Sequence, residues 1–235
     1  MFHTSEDSFL RWQYGTFIRL VRILAFWLAI LLPGLYLAVT LYHTEIIPTE
    51  LLLAIEMSRE SVPFPVILEI LLMEVSFELI REAGIRVPEV IGQTLGIIGA
   101  LILGQAAVAA NLVSPILIII VSITGLGSFA MPNYHMGFAI RILKFMFIFL
   151  GFFAGFYGIS FGIFIIGGMA CSMKCFGVPY FTPIAPKTRV NPDIVIRQPI
   201  WKQSMRPDSL NSPNKKRSGR KVRGWAEKEK RGNRK

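Results

Sequence analysis

The sequence predicts an all-α integral membrane protein with about four transmembrane helices, one interfacial or re-entrant amphipathic helix, and a basic, disordered C-terminal tail. Three observations predict it. The 235 residues are 53% hydrophobic and only 17% charged, too few charges to coat a soluble domain of this size. From Val90 to Ile140 there is no Asp, Glu, Lys or Arg. The charges are also segregated: nine Glu lie between Glu45 and Glu89, and sixteen Lys and Arg follow Lys174.

Residues 1–22 form a short N-terminal segment carrying Arg11, Arg19 and Arg22. The first span, ILAFWLAILLPGLYLAVTLY, occupies 23–42. At 1.5 Å per residue it covers about 30 Å, one hydrocarbon core. It lacks the shorter apolar region and small-residue cleavage site of a signal peptide. Pro33-Gly34 falls mid-span, where a kink is tolerated if neighbouring helices satisfy the freed carbonyl.

An amphipathic helix follows at 62–83, bracketed by Pro63, Pro65 and Pro88. It is apolar like a membrane helix yet carries Glu69, Glu74 and Glu78. On a helix Glu74, Glu78, Arg81 and Glu82 share one face, Glu69 sits apart, and Arg81 is spaced to pair with Glu78. Two readings stand side by side. The acidic face lies in water at the interface, or the helix is re-entrant and its carboxylates attract cations.

The charge-free run is too long for one helix. Pro115 disfavours helix at Ser114, which divides the run into spans at 90–110 and 112–131, the second ended by Pro132. In the 90–110 span Gly92, Gly96 and Gly99 fall near one line with Ala110, and Gly92 and Gly96 form a G-x-x-x-G pair. Gln93, Thr94, Gln105 and Asn111 need partners in hydrocarbon. Such a helix packs among others, within the chain or between copies, or it walls a hydrated path. The last span, 145–173, is long for a bilayer, so it tilts or its glycine-rich end leaves the hydrocarbon. The tail, 174–235, is basic and reads as cytoplasmic, near anionic headgroups rather than on nucleic acid, because no aromatic–basic interleaving of a nucleic-acid fold is present. A basic N-terminal flank and an acidic 43–89 connection facing outward place both termini in the cytoplasm.

No catalytic set emerges, and the chain does not read as an enzyme. His3, His43 and His135 lack metal-ligand spacing. Cys171 and Cys175 have no companions that complete a metal site. GLGSFA at 125–130 matches a dinucleotide fingerprint in letters only, with no βαβ unit around it. No cofactor is expected.

Four stretches carry a family resemblance: FIRLVRILAFWLAILLPGLYLAVT (17–40), PTELLLAIEMSRESVPFP (48–65), EVSFELIREAGIRVPEVIGQTLGIIGALILGQAAVAANLVSPILIIIV (74–121) and CSMKCFGVPYFTPIAP (171–186). The chain resembles the A subunit of spore germination nutrient receptors, the GerA family, over nearly all residues to about 207. The resemblance implies a receptor in the spore inner membrane, with a transporter-like B subunit that senses nutrient and a lipoprotein C subunit. It implies an A subunit that oligomerises and forms a cation-conducting path. Full-length members carry a large N-terminal cytoplasmic region, so the chain is expected to be a C-terminal membrane half. A related stage V sporulation membrane protein shares the same words. An accessory role, or a non-conducting assembly role, is therefore the alternative. In the conducting reading Glu74 and Glu78 lie near an outer mouth, Gln93 and Thr94 offer polar groups to ions, and Gly92, Gly96 and Gly99 pack helices together.

Overall fold

The computed structural model describes Thr4, Asp7, residues 9–86, Gly99, residues 101–182, Ala185, Ile196, Arg206, Pro213 and Asn214. Gly92, Gln93, Thr94 and Gly96 lie outside the described residues, as do the start of the 90–110 span and nearly all of the basic tail. The chain divides into two units, a larger one built on 21–164 and a smaller one on 4–20 with 165–235.

Six helices carry the described structure. They are α1 (Trp12–Tyr42), α2 (Thr49–Arg59), α3 (Val66–Arg86), α4 (seen over 101–109), α5 (Pro115–Phe129) and α6 (Tyr134–Ser172). Two of them, α1 and α6, are long and apolar enough to cross a membrane. A two-stranded antiparallel pair, β1 (Lys174–Cys175) and β2 (Val178–Pro179), follows α6 and adds to the all-α expectation.

Each boundary has a local cause. α4 ends at Asn111, whose φ of 53° is left-handed. Leu112 N–H bonds back to Ala107 O and Asn111 N–H to Val108 O, both at 2.9 Å. That is a Schellman ending, with asparagine in the place usually taken by glycine. Ser114 is then extended, and Pro115 opens α5 at its first turn, where its missing N–H costs nothing. α5 has 15 residues, about 22 Å, shorter than the span expected at 112–131 and shorter than a hydrocarbon core.

The expected single span at 145–173 is different in the structure. α6 starts earlier, at Tyr134, and breaks at Gly155, whose φ of 56° and ψ of −137° suit only glycine. The break frees carbonyls upstream of it. The Tyr42 hydroxyl, at the end of α1, donates to Phe152 O at 2.6 Å. The His43 ring lies 4.7 Å from that of Phe156 just past the break. A tyrosine from one helix thus fills the gap left in another.

Glycines also set where helices cross. A Cβ on Gly34 would meet Phe147 O at 2.5 Å, and one on Gly151 would meet Gly34 O. Helices α1 and α6 therefore touch backbone to backbone beside Pro33. In α5, Gly127 faces Ala25 and Ala29 of α1, and Gly125 lies under the Phe77 ring of α3. The letters that imitated a nucleotide motif are packing glycines. A Cβ on Gly99 would meet the Ile80 side chain of α3 at ordinary contact distance.

The core joins Leu37 of α1, Ile70 and Met73 of α3, Ala107 of α4, Val113, Leu117 and Val121 on and before α5, and Ile148 of α6. α3 is thus part of the bundle, not an outlying loop helix. The outer surface is apolar: Phe153 is 72% exposed and Tyr157 83%. Charged side chains on the packed helices, Glu69, Glu74, Arg81 and Lys144, are buried inside. This inverted polarity suits hydrocarbon surroundings.

Gly151→Ala is expected to force the α1–α6 crossing apart and destabilise the fold by about 1–3 kcal/mol. Gly168→Ala, with nothing within 4 Å, serves as control. Thermal unfolding in detergent should show a loss for the first and none for the second. Equal midpoints would mean the crossing yields without cost.

Candidate functional site: a buried charge ladder

Apolar spans tolerate a charge only when it is paired, because an unpaired ion in low dielectric costs several kcal/mol. α3 carries four such groups in sequence order, Glu69, Glu74, Glu78 and Arg81. From the first to the last the helix rises about 18 Å. Their partners come from α2, α5, α6 and α3 itself.

At the first rung Arg59 of α2 reaches Glu69 Oε1, with Nη2 at 3.2 Å and Nε at 3.3 Å. The other oxygen accepts the Ser114 N–H at 3.1 Å, so Glu69 also caps the open end of α5. At the second rung Glu74, 0% exposed, takes an ion pair from Lys144, 2% exposed, on α6. The Thr124 hydroxyl lies 3.3 Å from Glu74 Oε1 and 2.8 Å from Val121 O, and its one proton can serve either. At the third rung Glu78 sits between two guanidinium groups, Arg141 Nη1 at 2.9 Å and Arg81 Nη1 at 3.4 Å. Arg81 also donates to the Ser128 hydroxyl, which itself donates to Gly125 O. The Arg81 guanidinium lies 5.0 Å from the Phe77 ring centre and 4.6 Å from that of Phe129, both cation–π distances.

The order of contacts gives the directions. Glu74 meets Lys144 and Glu78 meets Arg141, so α3 and α6 run antiparallel. Glu69, Glu74 and Arg81 meet Ser114, Thr124 and Ser128, so α3 and α5 run parallel. The i, i+4 spacing on α3 matches the i, i+3 spacing on α6 closely enough for two rungs to close together.

The expected shared face of Glu74, Glu78 and Arg81 faces α5 and α6, and the Arg81–Glu78 pair is made. The expectation of that face in water fails for Glu74, which has no exposed surface. Glu82 is exposed and pairs with Arg86 at 2.9 Å. Sequence reasoning missed the partners. Arg141 and Lys144 lie just before the span expected at 145–173, and two bases three apart in an apolar run are a visible sign of a pairing face.

The pair can be separated from its parts by mutation. Lys144→Met leaves a buried carboxylate alone and should cost about 3–5 kcal/mol. Glu74→Leu combined with Lys144→Met should recover that loss or exceed wild-type stability. Unfolding midpoints of the three proteins in one detergent decide it. A double variant as weak as the single would mean that packing, not charge, sets the cost.

Comparison with known families places the chain with the Bacillus/Clostridium GerA spore germination protein over residues 1–209. Spore germination protein KA of Bacillus subtilis (strain 168) is 43% identical over 220 residues, which are 93% of this chain and 40% of that protein. Spore germination protein A1 of the same organism is 40% identical over 215 residues, 91% of this chain and 44% of that protein. Spore germination protein GerLA of Bacillus cereus is 42% identical over 186 residues, 79% of this chain and 38% of that protein. The chain spans about two fifths of the length of these relatives. No solved structure matches it. With a family match that covers most of its length, the chain belongs to the Bacillus/Clostridium GerA spore germination protein family.

Proposed function

We propose that the chain acts as the membrane subunit of a spore germinant receptor and takes part in nutrient-triggered germination, with the buried ladder as its movable element. It sits in the spore inner membrane with its termini, including the basic tail, on the cytoplasmic side. It works with a transporter-like B subunit and a lipoprotein C subunit, and several copies assemble around a cation path. Gly92 and Gly96 supply close helix contact between copies, and Gln93 and Thr94 line the path with Glu74 and Glu78.

The observation that supports this reading is the second rung. A carboxylate held by a lysine attracts no cation, so conduction along this face requires Glu74 and Lys144 to part. Ion-paired helices that can separate form a two-state element. A partner that binds nutrient differently in the two states biases it. The same observation favours a second reading. A ladder that never opens makes the chain a non-conducting assembly subunit or an accessory protein of the stage V type.

Spores lacking the gene should lose cation release and refractility change for one nutrient class and respond normally to others. A uniformly slower response points to the accessory role. Glu74→Leu with Lys144→Met removes the rung without stranding a charge. Spores carrying that pair should assemble the receptor yet release cations at an altered rate. An unchanged rate removes the rung from the path.

A further inference from the structure

The third rung is not electrically balanced. Two guanidinium groups, Arg81 and Arg141, share the single carboxylate of Glu78. The Nε of each is buried and has no hydrogen-bond partner among the described residues. The next rung, Glu74 with Lys144, is neutral by itself and offers no surplus carboxylate. In a low-dielectric bundle one uncompensated positive charge is costly, and it favours a negative group at the open edge.

That edge has a definite character. The Arg81 side chain is 5% exposed, but Arg141 is 15% and Glu78 24% exposed, so the rung opens to the outside on the Arg141–Glu78 side. Aromatic rings flank it: Phe129 stacks on Arg81 and Phe138 on Arg141 at 4.8 Å, and both rings are themselves exposed. Ile142, next to Arg141, is exposed as well. The rung also lies near the helix ends, where α3 and α5 finish and α6 begins. A positive group at a helix-end level, framed by exposed apolar side chains, fits a ligand with a negative head and hydrocarbon chains. A soluble anion would make no use of the rings.

We propose that Arg81 and Arg141 form a headgroup site for an anionic phospholipid, with its phosphate against the Arg141 guanidinium and its acyl chains along Phe129, Phe138 and Ile142. Guanidinium groups match phosphate oxygens in geometry and stay charged when buried. The lipid site shares this rung with Glu78 of the proposed path, but it rests on the surplus positive charge and not on the carboxylate.

The full chain purified in detergent can be analysed by native mass spectrometry with phosphatidylglycerol and phosphatidylcholine supplied in equal amounts. Wild type should retain phosphatidylglycerol with about a fivefold preference over the zwitterionic lipid, as expected for one basic side chain near a headgroup. Arg141→Gln should erase the preference. Arg141→Lys should keep most of it. Glu78→Gln should increase it, because it removes the carboxylate that both guanidinium groups share. The opposite signs of the Arg141 and Glu78 variants separate the effect from general destabilisation. Equal retention of both lipids by wild type overturns the proposal. So does a preference untouched by Arg141→Gln, or stabilisation by inorganic phosphate alone with no lipid preference, which would make this a soluble-anion site.

Discussion

A charge inside an apolar bundle must find its partner before the helices can settle. That constraint organises the larger unit of this chain. Glu69, Glu74 and Glu78 cannot face hydrocarbon, so α3 must present them to α2, α5 and α6. Hydrophobic contact alone gives little direction when the surroundings are as apolar as the helices. The ion pairs supply that direction. They fix the rotation of α3, its parallel course beside α5 and its antiparallel course beside α6. The glycines at 125, 127 and 151 then let the backbones come close enough for the rungs to form.

Much of this was legible in the sequence, for particular physical reasons. The break at Asn111 to Pro115 was visible because proline constrains the residue before it and asparagine tolerates left-handed backbone. The common face of Glu74, Glu78 and Arg81 was visible from helical spacing alone. What those groups faced was not visible. Lys144 lies 70 residues from Glu74, and periodicity within one helix carries no information about its neighbour. The depth of α3 in the bundle was hidden for the same reason. Three carboxylates left an interfacial and a re-entrant reading side by side, whereas the partners that neutralise them draw the helix into the bundle.

The glycines show a similar division. A run such as FLGFFAGFYGISFG announces tight packing or bending without saying which residue does which. Gly151 is a crossing point and Gly155 is a break, and only the tertiary neighbours tell them apart. The membership of the chain in its family agrees with the resemblance carried by its longer words.

The break at Gly155 also has a mechanical consequence. α6 is two rods on a joint rather than one beam. Lys144, which locks to α3, belongs to the first rod, about 16 Å from the joint. The second rod lies back against the first: a Cβ on Gly158 would meet Leu150 O, and one on Gly162 would meet the Leu150 and Phe147 side chains. Tilting the second rod therefore disturbs those contacts as well as the Tyr42 hydrogen bond. A push on the second rod thus reaches the first rod at Phe147, three residues from Lys144, rather than stopping at the break.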